Sequence, residues 1–204
     1  MEIIESSPTG FTCKIPERIY ILDDFFDTSI IQALYNELTF QENFWGQSFL
    51  KVDIVVPNRE DHLFLTHKFI SNESPFCYVV EDIDTRIREI FGDIGLNLEI
   101  KGAPWMWNQG IGDFVPLHLD THDSLDGKHT LRHWKAIVYL NTFEEGWGGE
   151  TIFHLTEFQK IVAIPKMGRL VLFKADTQHS TTCISRYALN RRIMLNLAYV
   201  SPNI

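Results

Sequence analysis

The sequence predicts a mainly β fold, a two-sheet jelly roll buttressed on one outer face by N-terminal α-helices. Three observations predict it. After Gly95 the chain breaks into eight short β-like runs, about 103–109, 114–120, 133–141, 149–154, 159–164, 169–174, 178–184 and 191–200, separated by Gly, Asp, Asn and Pro. Eight short strands are what a jelly roll needs. Two helical patterns precede these runs, so the helices belong on an outer face of the sandwich rather than between its strands. Fifteen Phe and five Trp suit a packed, aromatic-rich β core.

The first element, Arg18 to Phe26, reads as a short strand. Asp27-Thr28-Ser29 then offers N-cap side chains for a helix whose Ile30, Ile31, Leu34 and Leu38 recur at helical spacing and should cover a sheet. Asn43 to Pro75 mixes a strand-like piece (Phe49 to Val56) with polar and turn-prone stretches, as in a meander or lid. From Cys77 to Phe91, Val80, Ile83, Ile87 and Ile90 share a stripe, with Glu81, Asp84, Arg86 and Glu89 elsewhere, the stronger of the two helical patterns. At 204 residues the chain suits one domain, with 1–95 supplying helical support and lid elements and 96–204 the jelly-roll core.

A composition of 45% hydrophobic and 22% charged residues excludes disorder and fibrous repeats. The formal charge of -9 repels phosphate backbones, so nucleic acid is not the expected partner. No basic region precedes an apolar stretch at the amino terminus, and no run approaches bilayer length; a soluble, cytoplasmic protein without membrane partners is expected. Cys13, Cys77 and Cys183 are odd in number and lack CxxC spacing, which fits reduced thiols in a reducing interior.

The chemistry concentrates in His118-Leu119-Asp120, followed far downstream by His179 and then Arg191-Arg192. Two neutral imidazoles and a carboxylate on one face of a metal leave the opposite face open, which suits a non-heme ferrous ion that must bind a chelating co-substrate and dioxygen. On a strand, residues 118 and 120 point the same way and can reach one ion. Isolated, His-x-Asp is weak evidence, since a surface histidine beside a turn aspartate gives the same pattern.

The surroundings strengthen it. Gly110-Ile111-Gly112-Asp113 supplies a tight turn, Val138-Tyr139-Leu140-Asn141 ends a strand, and Gly148-Gly149-Glu150-Thr151-Ile152-Phe153, Pro165 to Phe173 and His179-Ser180 follow in order. In that order, from about 102 to 200, the pieces resemble the iron(II) and 2-oxoglutarate-dependent oxygenases of the prolyl 4-hydroxylase type. The resemblance implies a double-stranded β-helix holding Fe(II) through His118, Asp120 and His179, and 2-oxoglutarate as co-substrate with its distal carboxylate on a basic residue of the last strand. It also implies dioxygen as oxidant, with succinate and carbon dioxide formed as a substrate C–H bond is hydroxylated. Related halogenases carry a small residue in place of the carboxylate, so Asp120 points to hydroxylation.

Period two along the last strand selects the basic residue. Ile193, Leu195 and Leu197 form a packing face, whereas Arg192, Met194, Asn196 and Ala198 should line the pocket, with Arg191 turned outward. A guanidinium there can hold a carboxylate bidentately. The stretch between His179 and Arg192 is longer than is usual in the prolyl hydroxylase group. By the same parity Lys135, Ile137 and Tyr139 share a face; Tyr139 matches a tyrosine that binds the distal carboxylate in related enzymes, and Lys135 either competes with Arg192 or is a solvated charge. Cofactor contacts are thus expected from Arg192, Tyr139, Asn196 and Lys135. Substrate contacts are expected from Asn108, Trp107 and His122, although Trp105 and Trp107 also suit the core. His62, His67, His129 and His133 read as solvent-facing or locally bonded.

The substrate expected is a peptidyl residue, proline being favoured by the resemblance, or a free amino acid or small molecule. Two other functions use the same residues: a catalytically silent jelly roll that senses 2-oxoglutarate or a metal, and a zinc hydrolase with bound water as nucleophile, under which Arg192 has no purpose.

Overall fold

In the computed structural model, the described residues are 11–15, 18–40, 49–51, 64–69, 77–102, 104–120, 122–123, 130–131 and 133–201. In chain order the elements are β1 (Phe11–Ile15), β2 (Ile19–Leu22), α1 (Thr28–Phe40), β3 (Phe49–Lys51), β4 (Phe64–Phe69), α2 (Cys77–Asp93), β5 (Glu99–Ile100) and β6 (Trp105–Gln109). They continue with β7 (His122–Asp123), β8 (Thr130–Leu131), β9 (Trp134–Tyr139), β10 (Thr151–His154), β11 (Lys160–Ala163), β12 (Leu170–Lys174), β13 (His179–Thr181) and β14 (Arg192–Val200).

The strands build a nine-stranded antiparallel sheet in the order β1-β2-β12-β9-β14-β6-β4-β3, with β5 also pairing β14, and a three-stranded sheet, β11-β10-β13. The two sheets are the halves of a double-stranded β-helix. Strand alternation divides the core. Residues of one parity, among them Tyr20, Met106, Ala136, Val138, Leu172, Ile193, Leu195 and Leu197, pack with Ile31 and Leu34 of α1 and Val80, Ile83, Ile87 and Phe91 of α2. Residues of the other parity, Ile19, Ile21, Ile137, Tyr139, Val171, Phe173 and Met194, meet Phe153 and Ala163 of the small sheet. The division of β14 into a packing face and an inner face therefore follows its sequence pattern.

Both helices form where their patterns place them. Asp27 caps α1, its Oδ1 accepting from the Ser29 backbone N–H at 2.8 Å and the Ser29 hydroxyl at 2.7 Å. Ile30, however, is exposed, because the stripe that meets the sheet runs through Ile31 and Leu34. The Leu38 side chain lies outside the described residues. The lid expected over 43–75 lies mostly outside them too; its described parts are β3, which falls within the expected 49–56 run, and β4, which pairs with β6.

Run 114–120 is not a regular strand. Only one isolated antiparallel bridge, His118 to His179, forms within it, because Pro116 has no N–H to continue the ladder. Among the described residues no helix is long and apolar enough to cross a membrane. Cys77 and Cys183 are free thiols, and Cys13 lies in β1 with its side chain outside the described residues.

Phe91 is fully buried, edge-on to Tyr20 at a centroid distance of 5.3 Å. Phe91→Ala should lose about 3–5 kcal/mol of unfolding free energy in urea titrations, whereas Glu89→Ala, on the exposed face of the same helix, should change it by no more than about 0.5 kcal/mol.

Candidate metal centre and anion anchor

The turn at Gly110 starts the approach to the centre. Asp113 N–H donates to the Gly110 carbonyl at 3.0 Å, the Asp113 carboxylate accepts from Gly110 N–H at 2.6 Å, and Gly112 takes φ +85°, a conformation side chains disfavour. From there the chain runs extended beside β13. His118 N–H donates to the His179 carbonyl at 2.9 Å and His179 N–H to that of His118 at 3.1 Å, which sets the two imidazoles side by side with centroids 4.1 Å apart and planes tilted by 50°. Asp120 N–H donates to the Ala175 carbonyl at 2.9 Å, turning its carboxylate toward both rings.

His118, Asp120 and His179 each offer one ligand atom, and those atoms lie within 4.8 Å of one another. His179 Nε2 is 3.2 Å from Asp120 Oδ2, and His118 Nε2 is 3.6 Å from Oδ1. Each imidazole Nδ1 bonds a backbone carbonyl, His118 that of Pro116 at 2.8 Å and His179 that of Thr177 at 2.9 Å. A carbonyl only accepts, so each Nδ1 carries the hydrogen and each Nε2 keeps its lone pair for a cation. Burial lowers the pKa of His179 against the pull of Asp120, which favours the neutral, ligating imidazole. Burial would raise the pKa of Asp120, but Lys135 and the two histidines hold it well below the usual carboxylate range. Two imidazole nitrogens and an ionised carboxylate are the donor set of a ferrous facial site.

Lys135 is where the structure departs from the sequence reading. Only 2% of its side chain is exposed, so it is no solvated charge, and its Nζ stands 2.6 Å from Asp120 Oδ2. The contact is an ion pair rather than an aligned hydrogen bond, and Oδ2 has no hydrogen-bond partner of good geometry. The ammonium also lies over the rings of Trp105 and Trp107, 5.4 and 5.2 Å from their centroids. Lys135 thus belongs to the metal end of β9.

Tyr139, four residues or about 13 Å further along the same face, belongs to the other end. There Arg192, 1% exposed, donates to the Thr151 hydroxyl at 2.8 Å, the Tyr139 hydroxyl at 3.4 Å and the Gln109 carbonyl oxygen, with its guanidinium 5.2 Å from the Tyr139 ring centroid. Tyr139 and Thr151 also bond each other at 2.7 Å. These partners are neutral. Burial lowers the Arg192 pKa, opposed by Tyr139 and by Glu150, yet a guanidinium stays charged in proteins. A buried cation with neutral hydrogen-bond partners is built to receive an anion. Gln109 Nε2 and Arg192 Nε here, and both polar side-chain atoms of Asn196 four residues further along the same inner face, are buried without a hydrogen-bond partner, which fits a polar guest such as a dicarboxylate.

The remaining candidates separate by parity. Trp105, Trp107 and Gln109 pair in register with Asn196, Met194 and Arg192, so they share the inner face. Asn108 pairs with Ile193 on the helix side, and its Oδ1 accepts from Arg191 Nε at 2.5 Å. The structure therefore does not bring Asn108 to the centre, since a one-residue step along a strand reverses its face. Arg191, expected to turn outward, engages Asn108 instead of the partners of Arg192. His122 lies in β7, with its side chain outside the described residues, as are those of His62, His67 and His129. His133 Nδ1 accepts from Ser201 N–H at 2.9 Å, a structural bond. Gln109 and Thr151 were missed by sequence reasoning. Gln109 continues the period-two series of Trp105 and Trp107, a usable signal, whereas Thr151 reaches Arg192 only because the small sheet lies opposite.

Comparison with known proteins agrees with this architecture. Residues 105–199 match the family model of the 2OG-Fe(II) oxygenase superfamily, and no curated protein matches the chain. A prolyl-4-hydroxylase from Pseudomonas putida is similar at 20% identity and TM-score 0.66, over 91% of this chain and 93% of that one. A prolyl hydroxylase from Trichoplax adhaerens, in complex with a hypoxia inducible factor oxygen degradation domain peptide fragment, is similar at 18% identity and TM-score 0.67, over 92% and 85%. HygX from Streptomyces hygroscopicus, with nickel and 2-oxoglutarate bound, gives 13% identity and TM-score 0.59 over 91% and 84%. The matched segment carries the neighbouring histidines, the carboxylate and the buried guanidinium; it is similar to the 2OG-Fe(II) oxygenase superfamily, and the chain has the double-stranded β-helix fold of the prolyl hydroxylases it resembles.

Proposed function

We propose that the chain hydroxylates an unactivated C–H bond of a peptidyl residue or free amino acid, with His118, Asp120 and His179 holding Fe(II) and Arg192 holding 2-oxoglutarate. The observation that carries this reading is the pairing of a compact His-Asp-His cluster with a separate, buried cation on the same inner wall. A zinc hydrolase has no use for the second feature.

Bound iron supplies the redox chemistry, coupling dioxygen and the oxidative decarboxylation of 2-oxoglutarate to succinate with hydroxylation of the substrate. The chain's own groups prepare it. The Pro116 and Thr177 carbonyls hold each imidazole with Nε2 toward the ion. Arg192, backed by Tyr139, Thr151 and Gln109, receives the distal carboxylate, and Asn196 offers an amide on the same wall. Trp107, half-buried on that wall, is the substrate contact this arrangement favours. Likeness in fold to prolyl hydroxylases, one holding a peptide fragment, favours a peptidyl proline.

Purified protein given Fe(II) and 2-oxoglutarate should release succinate, and His118→Ala or His179→Ala should abolish it; a screen of proline-containing peptides against free amino acids should identify the substrate that accelerates release. Anaerobic Fe(II) with 2-oxoglutarate should give a visible charge-transfer band that Zn(II) does not. A band without succinate on admitting air would instead mark a sensor. Arg192→Met removes charge-assisted hydrogen bonds contributing about 1.5 to 3 kcal/mol, so the apparent affinity for 2-oxoglutarate should weaken by about 10- to 150-fold, with Fe(II) affinity little changed.

A further inference from the structure

We propose that Lys135 is a positioning residue for the metal centre, holding Asp120 Oδ2 so that Asp120 offers the ion a single oxygen and leaves the open positions free. The inference rests on the proposed metal site and concerns a residue whose sequence pattern suggested only a second co-substrate cation or a solvated charge.

The geometry separates Lys135 from the co-substrate anchor. Its Nζ meets a metal-ligand carboxylate at 2.6 Å, while Arg192, at the other end of the inner face, is surrounded by Tyr139, Thr151 and Gln109. The ammonium is also restrained by the faces of Trp105 and Trp107, both placed on the inner wall by their pairing with Asn196 and Met194. A lysine free to choose would extend to water, since its rotamer freedom is among the largest of any side chain. Stability does not explain the placement, because a buried ion pair gains little net stability over apolar residues of the same volume.

The effect on the ligand follows from the two oxygens. Oδ2 is shared between Lys135 and the neighbourhood of His179 Nε2, and Oδ1 faces His118 Nε2. With Oδ2 held by a cation, chelation of the ion through both oxygens would require breaking the pair. An Asp120 released from Lys135 could chelate, or rotate away, and either would disturb a site that needs free positions for a keto acid and dioxygen. A dication held by His118, Asp120 and His179 would feel the charge of Lys135, but that charge is paired with the Asp120 carboxylate, and partners of ligating groups typically contribute 10- to 100-fold to metal affinity through orientation.

The test uses the metal alone, read apart from turnover. Co(II) titrated into wild-type protein and into Lys135→Met should show at least a tenfold loss of affinity in the variant and a shift of the visible Co(II) bands, with Lys135→Arg recovering most of both. The KM for 2-oxoglutarate, measured at saturating Fe(II), should stay within about threefold of wild type. Unchanged Co(II) affinity and bands in Lys135→Met overturn the proposal, as does a variant whose only defect is a raised KM for 2-oxoglutarate. If Lys135→Met does not fold by circular dichroism, Lys135→Gln carries the same comparison, and wild-type affinity and bands in it overturn the proposal. Failure of the wild-type protein to bind Co(II) would instead refute the metal site itself.

Discussion

The structure depends on one antiparallel bridge. His118 and His179 exchange both backbone hydrogen bonds across the edge of the small sheet, and through that contact a turn-borne segment and a strand from more than fifty positions downstream present neighbouring imidazoles. Two backbone carbonyls, of Pro116 and Thr177, then dictate which ring nitrogen is available. The tautomers are therefore set by main chain, which cannot change protonation, and both lone pairs are directed to one place before any cation arrives.

Around this bridge the fold uses its inner wall to keep charges out of water. Burying a cation is costly unless its charge is matched, and among the described residues the wall holds Lys135 and Arg192. Lys135 is matched within the chain by Asp120. Arg192 has neutral hydrogen-bond partners, with Glu150 contributing only at longer range. That asymmetry distinguishes the two ends of the inner face: on the proposed reading a cation would be added beside the carboxylate at one end, and an anion beside the guanidinium at the other. A dicarboxylate co-substrate with a metal-chelating end answers both demands at once.

Much of this was legible in the sequence because strands alternate. Period two assigned Arg192, Met194 and Asn196 to the inner wall and Ile193, Leu195 and Leu197 to the helices, and applied to Trp105 and Trp107 it would have added Gln109 and removed Asn108. It failed where regular structure stops. Between Asp113 and Asp120, Pro116 breaks the ladder, so the shared direction of His118 and Asp120 rests on separate backbone contacts, with His179 and Ala175, rather than on a continuous strand.

What the sequence alone determined was the class of fold, the His118, Asp120 and His179 side chains that the structure brings together, the buried guanidinium and the parity of the final strand, all of which follow from residue type and local repeat. Tertiary structure alone decided that Lys135 stands beside Asp120 rather than in solvent, that Thr151 reaches Arg192 from the opposite sheet, and that Asn108 is engaged by Arg191. The physical reason is that periodicity says which face a side chain occupies, whereas the partner it finds there belongs to another strand, and burial converts that partner's charge into the property the site depends on.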